Sequence, residues 1–149
     1  MNVMQLRPNV LDRLDSAIND PLGVLVLIGT TDISAALPRS ETLMNLRKIL
    51  SGIETLAPGT PVVVQSVLPR STPYAQEVRA LNCGYQEVVG EATGPVRYLD
   101  LWPMLAAEDG SLRADLTPDK LHLNGRGYHE WVGVLRPIIQ ELSRRDGLP

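Results

Sequence analysis

Apolar positions follow two spacings along the chain. Residues 9–19, "NVLDRLDSAIN", place Val10, Leu11, Leu14 and Ile18 on one face, which predicts a helix with Asn9 as N-cap. Residues 40–56 space Leu43, Leu46, Leu50, Ile53 and Leu56 at helical intervals. Thr72-Pro73 is an N-cap followed by proline at the first helical position, so a helix runs from there to about residue 91. Tyr74, Val78, Leu81, Tyr85 and Val88 form its inward face. The last helix, "YHEWVGVLRPIIQELSRR", has Tyr128, Val132, Leu135 and Ile139 in phase, with Pro137 expected to kink it.

Between these helices stand short runs of another kind. "PLGVLVLIGTTD" is continuously apolar up to Gly29, and "PVVVQSVLP" is rich in β-branched residues. Both read as strands buried on two faces, and "GPVRYLDLW" reads as a third. A long loop with an Asp109-Gly110 turn then leads to the last helix. Strands alternating with helices predict an α/β fold with a parallel sheet covered by helices, in one domain over residues 1–149. In such folds the chemistry gathers at the carboxyl ends of the strands. "GTTD" and "TPDKLHLN" both reach that edge.

Composition adds limits. The chain is 44% hydrophobic and 21% charged, ordinary for a globular protein, but has no Phe, so Leu, Val and Ile must build the core. Net charge is −3 with scattered Lys and Arg, which argues against a nucleic-acid partner. The lone cysteine, Cys83, cannot form an internal disulfide and reads as a small buried or half-buried residue. No apolar run is long enough to span a bilayer, and the first residues carry no signal-peptide pattern. A cytoplasmic location follows as the sequence is written, or export if a signal precedes it.

Asp119 and His122 stand three apart, a spacing that puts both side chains on one side of a turn. A carboxylate accepting the Nδ1 proton would leave Nε2 free to take a proton from a hydroxyl. By spacing alone, Asp119 could equally cap a turn. His129 reads as a surface residue, and no carboxylate cluster beside it suggests a metal site. "IGTTDI" reads as a tight polar turn able to offer donors to an oxyanion, with Asp32 bracing it. No strand leads into a Gly-rich phosphate loop, which argues against a nucleotide-binding domain.

Taken in order, these segments resemble the SGNH, or GDSL, hydrolase family. "VLVLIGTTDI" is similar to its Gly-x-Asn-Asp block. "VVVQSVLPR" and "VRALN" are similar to the next strand and helix, and "DKLHLN" is similar to its Asp-x-x-His-x-Asn block. The likeness runs from about residue 6 to residue 142, and its wording is nearest the platelet-activating-factor acetylhydrolase-like and acetylesterase branches. It implies a three-layer α/β/α flavodoxin-like fold and hydrolysis of small acyl esters by a Ser-His-Asp triad without a cofactor. His122 would be the base, Asp119 its orienter and Thr31 the oxyanion donor, at the position where the family has Asn.

The family's Gly-Asp-Ser block, which bears the nucleophile, does not occur in these 149 residues. Ser16 sits in a helical pattern without a preceding glycine or strand, and Ser34 and Ser66 are not at the family's nucleophile position. The expectation is therefore a chain whose N-terminal strands and serine precede Met1. The edge left by those strands would aggregate or pair in a homodimer. The alternative is a non-catalytic SGNH-like binding or assembly module.

Overall fold

The computed structural model describes residues 22–145. The helix expected over 9–19, and Ser16 with it, lies outside the described residues. The elements are β1 (Val24–Val26), α1 (Thr30–Ser34), α2 (Arg39–Leu56), β2 (Val62–Gln65), α3 (Ala75–Glu91), β3 (Val96–Leu99), α4 (Trp102–Leu105) and α5 (Gly125–Arg145). Single 3-10 turns at Thr72–Tyr74 and Ala114–Leu116 precede α3 and the loop before α5.

The strands form a parallel sheet in the order β1-β2-β3, with Val24 paired to Val62 and Val62 to Val96. Parallel neighbours need crossovers, which α2 and α3 supply. The period of two in each strand assigns the layers. Val62 and Val64 pack with Leu46, Ile49, Ile53, Val78, Leu81 and Tyr85 of α2 and α3. Their neighbours turn the other way: the Trp131 indole donates to Gln65, and Arg97 pairs with Glu141, both partners lying on α5. Helices therefore cover both faces, as the alternation of elements requires. Among the described residues no helix is long and apolar enough to cross a membrane.

Several sequence expectations are corrected. The tight turn expected at "TTDIS" is a one-turn helix. Leu56 is exposed, while the unassigned Ile49 is buried, because α2 faces the sheet along Leu46, Ile49, Leu50 and Ile53. On α5 the expected face is rotated: Leu135 is buried, but Tyr128, Val132 and Ile139 are exposed. The facing positions are set by Trp131, Val134, Leu135 and Leu142, because Trp131 is tied to the sheet and Gly127 fits tightly under Leu116 and Leu123. Cys83 is exposed on α3 rather than buried. The loop after β3 is well built: four fully buried leucines, Leu101, Leu105, Leu112 and Leu116, form a second core with Leu123 and Trp131. Among the described residues β1 pairs only with β2, and Leu25 on it is exposed.

Candidate active site

Parallel strands put all three carboxyl ends on one edge, so the segments that follow them converge there. After β1 come Gly29 and α1, after β2 comes Arg70, and after β3 comes the loop that carries Asp119 and His122.

The loop from Thr117 to Asn124 is fixed by its own short polar side chains. The Thr117 hydroxyl donates to the His122 carbonyl at 2.6 Å and accepts the Lys120 amide at 3.0 Å. Asp119 Oδ1 accepts the amides of Leu121 and His122 at 2.9 and 2.8 Å. That pattern is the turn chemistry expected of Thr-Pro-Asp, and it holds Lys120 at a left-handed φ of 61°. Asn124 Oδ1 accepts the Gly127 amide at 2.9 Å at the start of α5, and its Nδ2 donates to the Asp115 carbonyl. The loop rests on the leucine core through Leu123.

These bonds leave the second oxygen of Asp119 for the imidazole, with His122 Nδ1 at 2.7 Å from Oδ2. The bond to His122, followed by the two backbone amides, holds the Asp119 carboxyl well below the usual carboxylate range. An ionised carboxylate only accepts, so Nδ1 carries the proton and Nε2 presents its lone pair. The His122 side chain is 72% exposed, and the Asp119 contact fixes the orientation of its ring. The structure brings Asp119 and His122 together as the spacing required.

On the segment after β1, Gly29 takes a φ of 118° at the N-terminus of α1. A Cβ there would lie 2.6 Å from the Tyr85 hydroxyl, so only glycine fits beneath this turn. Tyr85 donates to the Ile28 carbonyl at 3.1 Å, and burial, then the nearby Asp32 charge, pushes its hydroxyl up and keeps the donor protonated. Asp32 is buried and accepts the Thr42 hydroxyl at 3.2 Å, which braces α1 against α2. The Thr31 hydroxyl is buried and makes no hydrogen bond with the described residues.

The serines next to the strand ends are engaged elsewhere. Ser66 is fully buried and accepts the Leu101 amide at 2.8 Å, and Ser34 accepts from Arg70 at 2.8 Å. Among the described residues no serine hydroxyl bonds His122. His129 is exposed, and no group of His, Cys, Asp and Glu among the described residues could hold a metal ion. A cleft of about 470 Å³ lies at the opposite end of the sheet, between Glu54, Val62 and Gly94, remote from this edge. The sequence reading missed Thr117 and Arg70: the Thr-Pro-Asp triplet signals the first, and nothing in the sequence marks the second.

The family described as GDSL-like Lipase/Acylhydrolase matches residues 2–130. No curated protein matches the chain. Among solved structures, a candidate platelet activating factor from Streptococcus pneumonia is 25% identical with a TM-score of 0.79, over 93% of this chain and 68% of its own. An acetyl esterase variant with an acetate ion is 19% identical with a TM-score of 0.78, over 97% and 69%. A Clostridium thermocellum family 3 carbohydrate esterase is 19% identical with a TM-score of 0.67, over 95% and 68%. These last two share the fold.

Proposed function

The chain belongs to the GDSL-like lipase/acylhydrolase family, and on that premise we propose that it serves hydrolysis of small carboxyl esters, supplying the base half of a Ser-His-Asp triad. The observation that carries this reading is the 2.7 Å contact between Asp119 and His122 Nδ1, made by a carboxylate that three bonds hold in its ionised form. His122 Nε2 takes the proton of a serine hydroxyl as its oxygen attacks the ester carbonyl. Asp119 steadies the imidazolium that results. His122 then returns the proton to the leaving alcohol, and a water deprotonated by the same nitrogen releases the acid. The Thr31 hydroxyl, buried without an acceptor among the described residues, donates to the oxyanion. The attacking serine is one that the described residues do not place against His122. Acetyl and other short acyl esters are the substrate class, in line with the acetyl esterase whose fold the chain shares.

Intact-mass analysis after treatment with a fluorophosphonate, run beside p-nitrophenyl acetate turnover, tests the reading. One stoichiometric adduct together with turnover that His122→Ala abolishes supports it. Turnover that survives His122→Ala refutes the assignment of the base. A second reading, a non-catalytic binding or assembly module, is favoured by the lack of any described serine at His122. Neither adduct nor turnover would favour it.

A further inference from the structure

Arg70 is only 8% exposed, yet it makes no ion pair with any described residue. A guanidinium taken out of water normally finds a carboxylate, because burying an uncompensated charge is costly. Here the compensation is of another kind. Nη1 donates to the Thr30 carbonyl at 3.1 Å and to the Ser34 hydroxyl at 2.8 Å. The guanidinium also lies 4.1 Å from the centre of the Tyr74 ring, a cation–π contact. Both hydrogen-bond acceptors belong to α1, at its first and last residues.

That helix has little to hold it by itself. Five residues are far too few for a helix to persist on its own bonds. Its N-terminus has no side-chain cap, and its last turn has no basic residue. Arg70, by contrast, stands on fixed ground. The Leu112 amide donates to its carbonyl at 2.9 Å, and it bridges to Ser111, so its backbone is joined to the leucine core beneath the His122 loop.

We infer that Arg70 is a positioning residue that clamps α1 to the β3–α5 loop, and so holds the Thr31 hydroxyl in register with His122. The clamp itself rests on the distances above, and its catalytic consequence rests on the ester-hydrolase reading. One nitrogen makes both bonds to α1, so lysine can replace part of the clamp, although it loses the planar contact with Tyr74. Methionine fills similar space and donates nothing.

The test is amide hydrogen exchange on the whole chain in Arg70→Met, Arg70→Lys and Ser34→Ala, read without substrate. In Arg70→Met the amides of Ala35, Ala36 and Leu37, which bond back into α1, should exchange about tenfold faster or more, a loss of about 1.4 kcal/mol of local protection. The β2 amides should stay unchanged. Arg70→Lys should recover part of the protection, and Ser34→Ala, on an exposed residue, should give an intermediate change. Unchanged α1 exchange in Arg70→Met overturns the clamp. So does an equal loss in α1 and β2, which would make Arg70 a general stabiliser only. With p-nitrophenyl acetate, Arg70→Met should lower kcat with KM held. A change in KM alone would remove the catalytic consequence. Absence of turnover would favour the non-catalytic reading and leave the exchange result to decide the clamp.

Discussion

The bond from Trp131 to Gln65 joins the helix behind the candidate base to the centre of the sheet, and its removal should be felt by both. Trp131 Nε1 donates to Gln65 Oε1 at 2.8 Å, and Gln65 is 2% exposed. In Trp131→Phe the buried Gln65 carbonyl oxygen loses its donor. An unsatisfied buried acceptor costs about 1–3 kcal/mol. The smaller ring adds ~1 kcal/mol of lost burial against the leucine cluster. The expected total is about 2–4 kcal/mol, and for a chain of this size each kcal/mol lowers Tm by about 2–4 °C. Gln65→Met alone should also destabilise, since it orphans the indole N–H. The double variant removes donor and acceptor together, so it should lose less than the sum of the two by about 1 kcal/mol or more. Urea unfolding should be followed by far-UV circular dichroism, because the substitution removes one of only two tryptophans. Strict additivity of the two substitutions, within about 0.3 kcal/mol, would refute the claim that this bond ties α5 to the sheet.

Two glycines of α5 should respond with opposite signs. A Cβ at Gly127 would stand 2.8 Å from the Leu116 carbonyl, so Gly127→Ala should destabilise by about 1–3 kcal/mol. Gly133 has nothing within 4 Å, so Gly133→Ala should stabilise by up to ~1 kcal/mol in the same urea experiment. Thr31→Val removes a buried hydroxyl that has no partner among the described residues, and should leave the urea midpoint unchanged or raised. If Thr31 serves the oxyanion, ester turnover should nevertheless fall by ~10²–10³. The folded-state pKa of Asp119 lies below its ordinary value of 3.8. Its contribution to stability is therefore complete above that value and is lost as pH falls toward the lower folded pKa. Acid unfolding by circular dichroism should be shallower in Asp119→Asn below pH 3.8, and an unchanged acid slope would remove Asp119 as an anchor of the loop.

The sequence by itself determined the α/β class and the parallel sheet. Unbroken apolar strands such as "VVVQ" alternate with helices of period 3.6, and few other packings bury both. It also determined the Asp119–His122 pair, because a Thr-Pro-Asp turn closes on its own backbone and needs little from the rest of the chain. The buried face of α5 was not legible, since Tyr128, Val132 and Ile139 fit a helical stripe as well as Trp131, Leu135 and Leu142 do. Contacts distant in sequence made that choice: the Gln65 acceptor and the Leu116 carbonyl against Gly127. Arg70 is the clearest case of what tertiary structure alone decided. Nothing in the sequence marks it. Parallel topology carries it against α1, forty residues earlier in the chain, and burial turns an ordinary arginine into a clamp.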